Sequence, residues 1–371
     1  MIIKRNYLID FLRLIFCLVI INYHFFSHFL LDISDPPYFF SRGYMGDEFF
    51  FIIAGFYLQK AAVTDNSLSP YLWNINQLWE RLKNIAIPYY ITWMICFLGV
   101  RFTNSHMGTA NRPVFLDLAD SIYELFFLEM FGFIRGFYSN QVGWFFSALL
   151  ISTFLIGPIA KCFKKTFSFY IAPVIALFSY GMLYLNYNFL WNPYSIIGST
   201  FFMKGTIRAL AAVCVGCIIH GISSSRFFEE KCNHLSNTMK RGIVIGDIFL
   251  WILVVAYMVY PFSSRSGDGV YYDYAVIMLM TIALIPVLGN LYANESNDVL
   301  SKVAKVVGKY SFYAYFGQAI FYSFDKLITT MDISKVEKAV IHNTSIFIIS
   351  IMLALLTKTI NKMFYHINSA S

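Results

Sequence analysis

Charged residues are scarce in this chain. Aspartate, glutamate, lysine and arginine make up 13% of its 371 residues, about half of the roughly 25% that soluble globular domains carry. Hydrophobic residues reach 58%. So few charges cannot cover the surface of a water-soluble globule, and this composition excludes a soluble enzyme.

Long polar segments are also missing. The longest polar stretches, near residues 64–84, 104–118, 187–203 and 223–242, are too short for an independent soluble domain. The chain contains no low-complexity run and no visible repeat. We therefore expect residues 1–371 to form a single membrane domain, with any chemistry inside the helical bundle or at its two mouths.

Cysteines are few, and their positions argue against a disulfide framework. Most of the six lie in or beside apolar runs. Cys214 and Cys217 form a C-x-x-C pair, but it lies inside an apolar run and no second pair accompanies it. Small residues at a helix interface are the expected role.

Apolar runs of about 20 residues recur from one end of the chain to the other, which is the pattern of transmembrane helices. We therefore predict an all-α polytopic membrane bundle of about ten transmembrane helices. The predicted spans are 8–30, 44–63, 85–103, 142–161, 168–186, 205–222, 243–262, 272–291, 308–329 and 341–363. A shorter run at 119–134 carries Glu124 and Glu129, and we predict an interfacial or re-entrant helix there.

The basic residues orient these spans. With ten spans, 17 of the 28 lysines and arginines fall on the side of the N-terminus. The positive-inside rule then places both termini in the cytoplasm. The net charge of +7 thus reflects topology and contact with the inner leaflet, and no nucleic-acid partner is expected. The N-terminal run is long and lacks a small-residue cleavage site, which predicts an uncleaved first span.

The first span carries ionisable residues at helical spacing. Arg13 and His24 are eleven positions apart, which places them within about 20° on one helix face and about 16 Å apart along the axis. Asp10 lies three residues before Arg13 and is expected to form an ion pair with it. Ionisable residues inside a span indicate a functional site.

This stripe suits acyl transfer from a thioester. A guanidinium near the cytoplasmic mouth binds a phosphorylated donor such as coenzyme A, and an imidazole deeper in the span takes the proton of an attacking hydroxyl. The alternative is structural: Arg13 reaches the headgroups and His24 hydrogen-bonds a neighbouring helix. His28 could pair with His24 at a metal, but no third ligand follows at a recognisable spacing, so no metal is expected.

The second span begins with two acids, in the sequence GYMGDEFFFIIAGFYL. Asp47 and Glu48 are expected at the same mouth as His24, where a carboxylate orients an imidazole and stabilises its protonated form. The alternative is that one or both cap the helix N-terminus. We predict capping for Asp47 and a functional role for Glu48.

At these residues the sequence resembles the acyltransferase 3 family of integral-membrane enzymes that O-acetylate O-antigens, Nod factors and exopolysaccharides. Arg13-x10-His24 matches the family's first motif. GDEFFFIIAGF matches the second, with Glu48 at the acidic position and Gly55 at the glycine. Two positions depart from it: Asp47 replaces the usual valine, and Ala54 replaces a serine.

The resemblance continues along the chain. ERLKNIAIPYY is similar to a basic segment before a proline-tyrosine, and GKYSFYAYFGQAIF to a late segment that usually ends in histidine, here Gln318. QVGWFFSALL and IRALAAVCVGCIIHG resemble two further spans of the family. The matching positions are Arg81, Lys83, Pro88, Trp144, Arg208 and Gly216.

The resemblance implies an O-acyltransferase that moves an acyl group, most simply acetyl, from cytoplasmic acyl-CoA to a hydroxyl of a cell-surface or lipid-linked saccharide. It implies His24 as the catalytic base, assisted by Glu48 and Arg13. Arg208 would bind the donor or close an internal ion pair. The implied donor-binding residues are Arg81, Lys83, Arg208 and Trp144.

The resemblance also implies acetyl-CoA as the donor substrate and a bacterial inner membrane as the location. The alternative function is a transporter or flippase for a lipid-linked saccharide, since many spans with buried charges suit that class too. The absence of an inverted repeat between the two halves weighs against it. The sequence leaves the oligomeric state open.

Overall fold

Helices account for nearly all of the described residues. The structure is a computed structural model that describes residues 6–29, 39–65, 69–109, 112–131, 139–186, 190, 192–195, 202–261, 270–289, 291 and 298–370. Their bounds are α1 Tyr7–Phe29, α2 Gly46–Thr64, α3 Pro70–His106, α4 Val114–Leu125, α5 Gly143–Thr166, α6 Ala172–Asn186, α7 Lys204–Ser223, α8 Arg226–Asn233, α9 Asn237–Val259, α10 Val270–Leu288, α11 Asp298–Tyr322, α12 Asp325–Thr329 and α13 Lys335–Ala370. The predicted all-α membrane bundle is confirmed.

Each predicted span overlies one long helix: α1, α2, α3, α5, α6, α7, α9, α10, α11 or α13. Six stretches within the described residues are long and apolar enough to cross a membrane by length and composition alone. Helix α4 has 12 residues, about 18 Å, and is too short for a hydrocarbon core of about 30 Å. It fits the short helix predicted at 119–134, of which residues 132–134 lie outside the described residues.

Successive long helices run in opposite directions between two ends of the bundle. We call the end where α1 begins the near face and the end where it finishes the far face. At the near face, the Asn6 amide donates to the Val287 carbonyl near the end of α10 (2.6 Å). At the far face, the backbone N–H of Phe40 donates to the Val259 carbonyl at the end of α9 (3.0 Å).

A sharp bend joins α5 to α6. Lys164 has φ 45° and ψ −115° inside the helical run, and a π-helical turn follows at Phe167–Ile171. The Gln59 amide donates to the Lys164 carbonyl at 2.8 Å, which occupies a backbone oxygen that the bend takes out of the helix. The two predicted spans at 142–161 and 168–186 are thus an antiparallel pair of helices at the near-face bend.

The closest packing in the bundle is between α2 and α7. A Cβ placed on Gly55 would lie 2.0 Å from the Val213 carbonyl oxygen, and one on Gly216 would lie 1.9 Å from that of Ile52. Only glycine permits backbones to approach this closely. This contact fixes the depth of α2 against α7, and thereby the position of every side chain that the two helices bring to the far face.

Candidate active site

One face of α1 contacts α11. Near the start of α1, Arg13 Nη1 lies 3.4 Å from Asp10 Oδ1, which confirms the predicted ion pair. Further along, the Cys17 thiol donates to the Ser311 carbonyl (3.2 Å). The Tyr322 hydroxyl donates to the Ile21 carbonyl (3.2 Å).

His24 lies at the far end of this face, partly buried. Its ring centroid is 5.1 Å from that of Tyr23 and 5.6 Å from that of Tyr322 on α11. Tyr23 in turn meets Tyr44 edge-to-face at 5.6 Å. His24 is therefore held among aromatic rings that connect α1 both to α11 and to the start of α2. The side chain of His28 lies outside the described residues.

Glu48 on α2 and Arg208 on α7 form a fully buried ion pair. Arg208 Nε donates to Glu48 Oε1 at 2.9 Å, and the two side chains are 1% and 0% exposed. The Tyr180 hydroxyl of α6 donates to the other carboxylate oxygen at 3.0 Å. Both Glu48 oxygens are bonded to these partners, so the predicted contact between Glu48 and His24 is wrong. For Arg208, the predicted internal ion pair is the arrangement found.

The guanidinium of Arg208 makes two further contacts. Its Nη2 donates to the Tyr44 carbonyl at 3.2 Å, and its central carbon lies 5.7 Å from the centroid of the Trp144 ring on α5. Arg208 thus connects α2, α5 and α7 at one depth. Trp144, predicted to bind the donor, packs on a cation of the protein itself.

A second polar network continues from Tyr44 toward α9 and α10. The Tyr44 hydroxyl donates to Asp273 Oδ2 at 2.6 Å and accepts from Arg42 Nη1 at 3.0 Å. Tyr257 on α9 donates to Asp273 Oδ1 at 2.7 Å. The sequence motifs did not predict this network. Its signal was Asp273 at the start of an apolar run and Arg42 just before the second span.

Asp47 does not cap α2 in the described structure. No side chain caps the N-terminus of that helix, and Asp47 is only 5% exposed. Its Oδ1 has no hydrogen-bond partner among the described residues. The predicted capping role is therefore wrong, and Asp47 places a buried carboxylate one residue before the Glu48 ion pair.

Arg81 and Lys83 on α3 do not converge. Arg81 points into the bundle, where it donates to Thr153 Oγ1 (3.1 Å) and to the Ala54 carbonyl (3.4 Å). Lys83 is half exposed and pairs with Glu80 at 2.7 Å. Residues two positions apart on a helix point about 200° away from each other. Arg81 and Lys83 therefore do not form one joint phosphate site. Arg81 and Arg208 also lie at different depths, since Ala54 is six residues further along α2 than Glu48.

Two buried acids lie at the far face, Glu124 in the last turn of α4 and Glu129 just after that helix. Glu124 accepts from the Ser139 backbone N–H (2.9 Å) and from that of Asn140 (3.2 Å). Glu129 Oε1 lies 2.9 Å from the Tyr89 hydroxyl. Burial raises the pKa of Glu124 to about 7 against these donors, and burial beside Glu124 raises that of Glu129 well above its usual range.

This acidic segment is held against the starts of α5 and α7. The Met130 carbonyl accepts from the Met203 backbone N–H (3.2 Å) and from Thr206 Oγ1 (3.1 Å). The Met130 N–H donates to Ser147 Oγ at 3.0 Å. The segment that carries Glu129 is therefore fixed against the starts of the two helices that carry Trp144 and Arg208.

Gln318 on α11 stands where the resemblance led us to expect a histidine. It is fully buried, and neither amide atom has a hydrogen-bond partner among the described residues. One turn further, the Tyr322 hydroxyl lies 2.8 Å from Nε2 of His342 on α13. The described residues contain no group of three or more histidine, cysteine or acidic side chains arranged to hold a metal ion.

A family model described as "Acyltransferase domain" matches residues 6–359, nearly the whole chain. No curated protein and no solved structure matches this chain. The matched region contains every residue of the far-face site, from His24 to Gln318.

Proposed function

The chain belongs to the acyltransferase 3 family and is a multi-pass membrane protein, and we propose that it transfers an acyl group from acyl-CoA to a hydroxyl of a saccharide. Acetyl is the simplest acyl group for this reaction. The family supports the acyltransferase class. The acyl-CoA donor and the saccharide acceptor are what the resemblance to the family implies, and the placement of Arg13 and His24 supports them.

The observation that carries the proposal is the stripe of ionisable residues on α1. Arg13 pairs with Asp10 near the start of the helix, and His24 lies about 16 Å further along the axis, against Tyr322 of α11. The Arg13 side chain keeps 33% of its surface exposed. A guanidinium there suits the phosphates of coenzyme A. The long pantetheine arm then carries the thioester toward the imidazole.

The reaction itself needs one base at the far end of this path. His24 removes the proton of the acceptor hydroxyl as its oxygen attacks the thioester carbonyl carbon. The carbon–sulfur bond breaks, an ester forms, and the coenzyme A thiolate takes the proton back from the imidazolium. The variant in which His24 is acylated first, and the sugar attacks the acyl-imidazole, balances in the same way.

Glu48 acts in this scheme as a positioning residue. Its pair with Arg208 holds the first turn of α2 through the Tyr44 carbonyl, and Tyr44 packs on Tyr23 beside His24. The pair therefore fixes the imidazole through aromatic packing rather than by direct contact. Because the pair is already neutralised, we assign donor phosphate binding to Arg13 and to the exposed Lys83, with Arg81 and Trp144 as structural neighbours of the path.

The test is transfer of labelled acetyl from acetyl-CoA by the purified protein in lipid nanodiscs. His24→Ala is expected to lower transfer by at least about a hundredfold, the lower end of general-base contributions, while the protein still inserts and purifies as a single species. His106→Ala removes an exposed histidine at the far end of α3 and serves as the matched control. Full activity of His24→Ala would rule out the mechanism.

The same assay separates the enzyme from the transporter alternative. A flippase would move a lipid-linked saccharide between leaflets without consuming acetyl-CoA. The proposal further places the protein in a bacterial inner membrane with both termini in the cytoplasm. Cysteine-accessibility labelling at Cys232, which lies in the last turn of α8 on the near face, tests that orientation.

A further inference from the structure

Three buried polar side chains in the far half of the bundle have atoms without hydrogen-bond partners. Glu129, Asn140 and Gln318 are each 0% exposed. Among the described residues, nothing hydrogen-bonds Glu129 Oε2, either amide atom of Asn140, or either amide atom of Gln318. A buried polar atom without a partner costs about 1–3 kcal/mol, so a hydrogen-bonding partner for these five atoms would stabilise them.

Glu129 and Asn140 are fixed next to each other at the start of α5. The Gly143 N–H donates to the Asn140 carbonyl at 2.9 Å. A Cβ on Gly143 would lie 2.2 Å from Glu129 Oε1, so the carboxyl lies flat against that glycine. Both backbone groups of Asn140 are therefore used in structure, and its side-chain amide is left for another partner.

One oxygen of Glu129 is hydrogen-bonded and the other is not. The Tyr89 hydroxyl has one hydrogen but lies 2.7 Å from the Glu124 carbonyl oxygen and 2.9 Å from Glu129 Oε1. The Tyr89 hydroxyl donates to both acceptors and shares its one hydrogen between them. Burial, and next the charge of Glu124, raise the pKa of Glu129 well above its usual range. Its Oε2 has no hydrogen-bond partner among the described residues.

Gln318 connects this cluster to His24. On α11, Tyr315 reaches the start of α5, where its hydroxyl donates to the Val142 carbonyl (3.4 Å). Tyr322 on the same helix packs against His24 at 5.6 Å. Gln318 lies between them on the same side of α11, about 4.5 Å along the axis from Tyr315 and about 6 Å from Tyr322. Each of these two distances along α11 is about the width of one sugar ring.

We propose that Glu129, Asn140 and Gln318 form a subsite that binds a neutral, hydroxyl-rich sugar ring of the acceptor. The two amides offer both donors and acceptors, and Glu129 Oε2 offers a further acceptor, which is what a ring of hydroxyls requires. Neither Glu124 nor Glu129 forms an ion pair with a described residue, so an anionic sugar gains no counter-charge there. The subsite rests on the proposed function and assigns the acceptor's position in it.

The test uses binding, which does not depend on turnover. Methyl β-glucoside, methyl β-galactoside and methyl β-glucuronide are titrated into the nanodisc-reconstituted protein, and tryptophan fluorescence reports occupancy beside Trp144. At least one neutral glycoside is expected to bind more tightly than the glucuronide. Asn140→Ala and Gln318→Ala are each expected to weaken that binding about three- to tenfold, as loss of one or two hydrogen bonds predicts.

The control is Asn186→Ala, which removes an exposed amide at the end of α6 that bonds only within its own helix. It is expected to leave the glycoside dissociation constant unchanged. The subsite is overturned if no neutral glycoside binds, if the glucuronide binds equally well, or if both variants keep wild-type affinity. A protein that binds the glycoside but never consumes acetyl-CoA would instead overturn the proposed reaction. In turnover, the variants should raise the acceptor KM without raising the KM for acetyl-CoA.

Discussion

Two buried glutamates lie in the far-face half of the bundle and have opposite surroundings. Glu48 is paired with Arg208, and both of its oxygens are hydrogen-bonded. Glu129 has no cation partner among the described residues, and one of its oxygens has no hydrogen-bond partner there. Both are 0% exposed. The first has its charge balanced by the protein, whereas the second does not.

This difference separates a structural element from a binding surface. We call the ion pair of Glu48 and Arg208 the frame, because it holds α2 and α7 together. A buried charge that is paired and fully hydrogen-bonded has nothing left to offer a ligand, and its loss damages the fold. A buried acid without a counter-charge becomes protonated and keeps a free acceptor. The surroundings of Glu48 therefore hold the helices in place, and the surroundings of Glu129 are where we expect a substrate.

The largest expected effect comes from breaking the frame. Arg208→Ala leaves the Glu48 charge buried and unpaired, which costs about 3–5 kcal/mol. We expect poor insertion, or a strongly lowered melting temperature measured by fluorescence-detected size-exclusion chromatography. The double variant Glu48→Leu with Arg208→Met removes both charges at similar volume and is expected to recover most of the stability.

A double variant as unstable as Arg208→Ala would show that the pair does more than cancel charge. A single variant as stable as the wild type would show that Glu48 reaches another partner. Either result would remove the distinction between frame and binding surface.

The next effect tests the close contact that positions the frame. Gly216→Ala places a methyl group 1.9 Å from the Ile52 carbonyl oxygen, and overpacking of this kind costs about 1–3 kcal/mol. A melting temperature several degrees lower is expected. Gly181→Ala is the matched control, because that helical glycine on α6 has no atom within 4 Å of its would-be Cβ. Alanine's higher helix propensity should leave its stability equal or slightly raised.

The sequence predicted the helices well because their signal is local. A run of apolar residues of the right length indicates a span wherever it lies, and the periodicity of one helix put Arg13 and His24 on one face. The resemblance added Gly55 and Gly216, whose close contact the structure shows. Each of these features can be deduced from a short window of the chain.

The pairing of charges between distant segments could not be deduced in this way. Glu48 and Arg208 are 160 positions apart, and nothing local excludes His24 as the partner of Glu48. The acids at 124 and 129 were noticed only as a reason to doubt a span. Their meaning depends on how residues 126–131 fold back onto α5 and α7, which is a tertiary feature. Burial without a counter-charge becomes visible only in the fold.

Stability on the Glu129 side also depends on pH, through its neighbour Glu124. Burial raises the pKa of Glu124 to about 7 in the folded protein, against about 4.3 for a free glutamate. A group with a raised folded pKa stabilises fully below its unfolded pKa, and that stabilisation is lost as the pH rises through the folded pKa. The melting temperature should therefore fall between about pH 5 and pH 8. Glu124→Gln does not titrate, so it should flatten that slope while lowering the melting temperature at pH 5, because an amide nitrogen cannot accept from Ser139 and Asn140. Glu80→Gln, at an exposed side chain of α3, should keep the wild-type slope, and a wild-type slope in Glu124→Gln would show that another group titrates over this range.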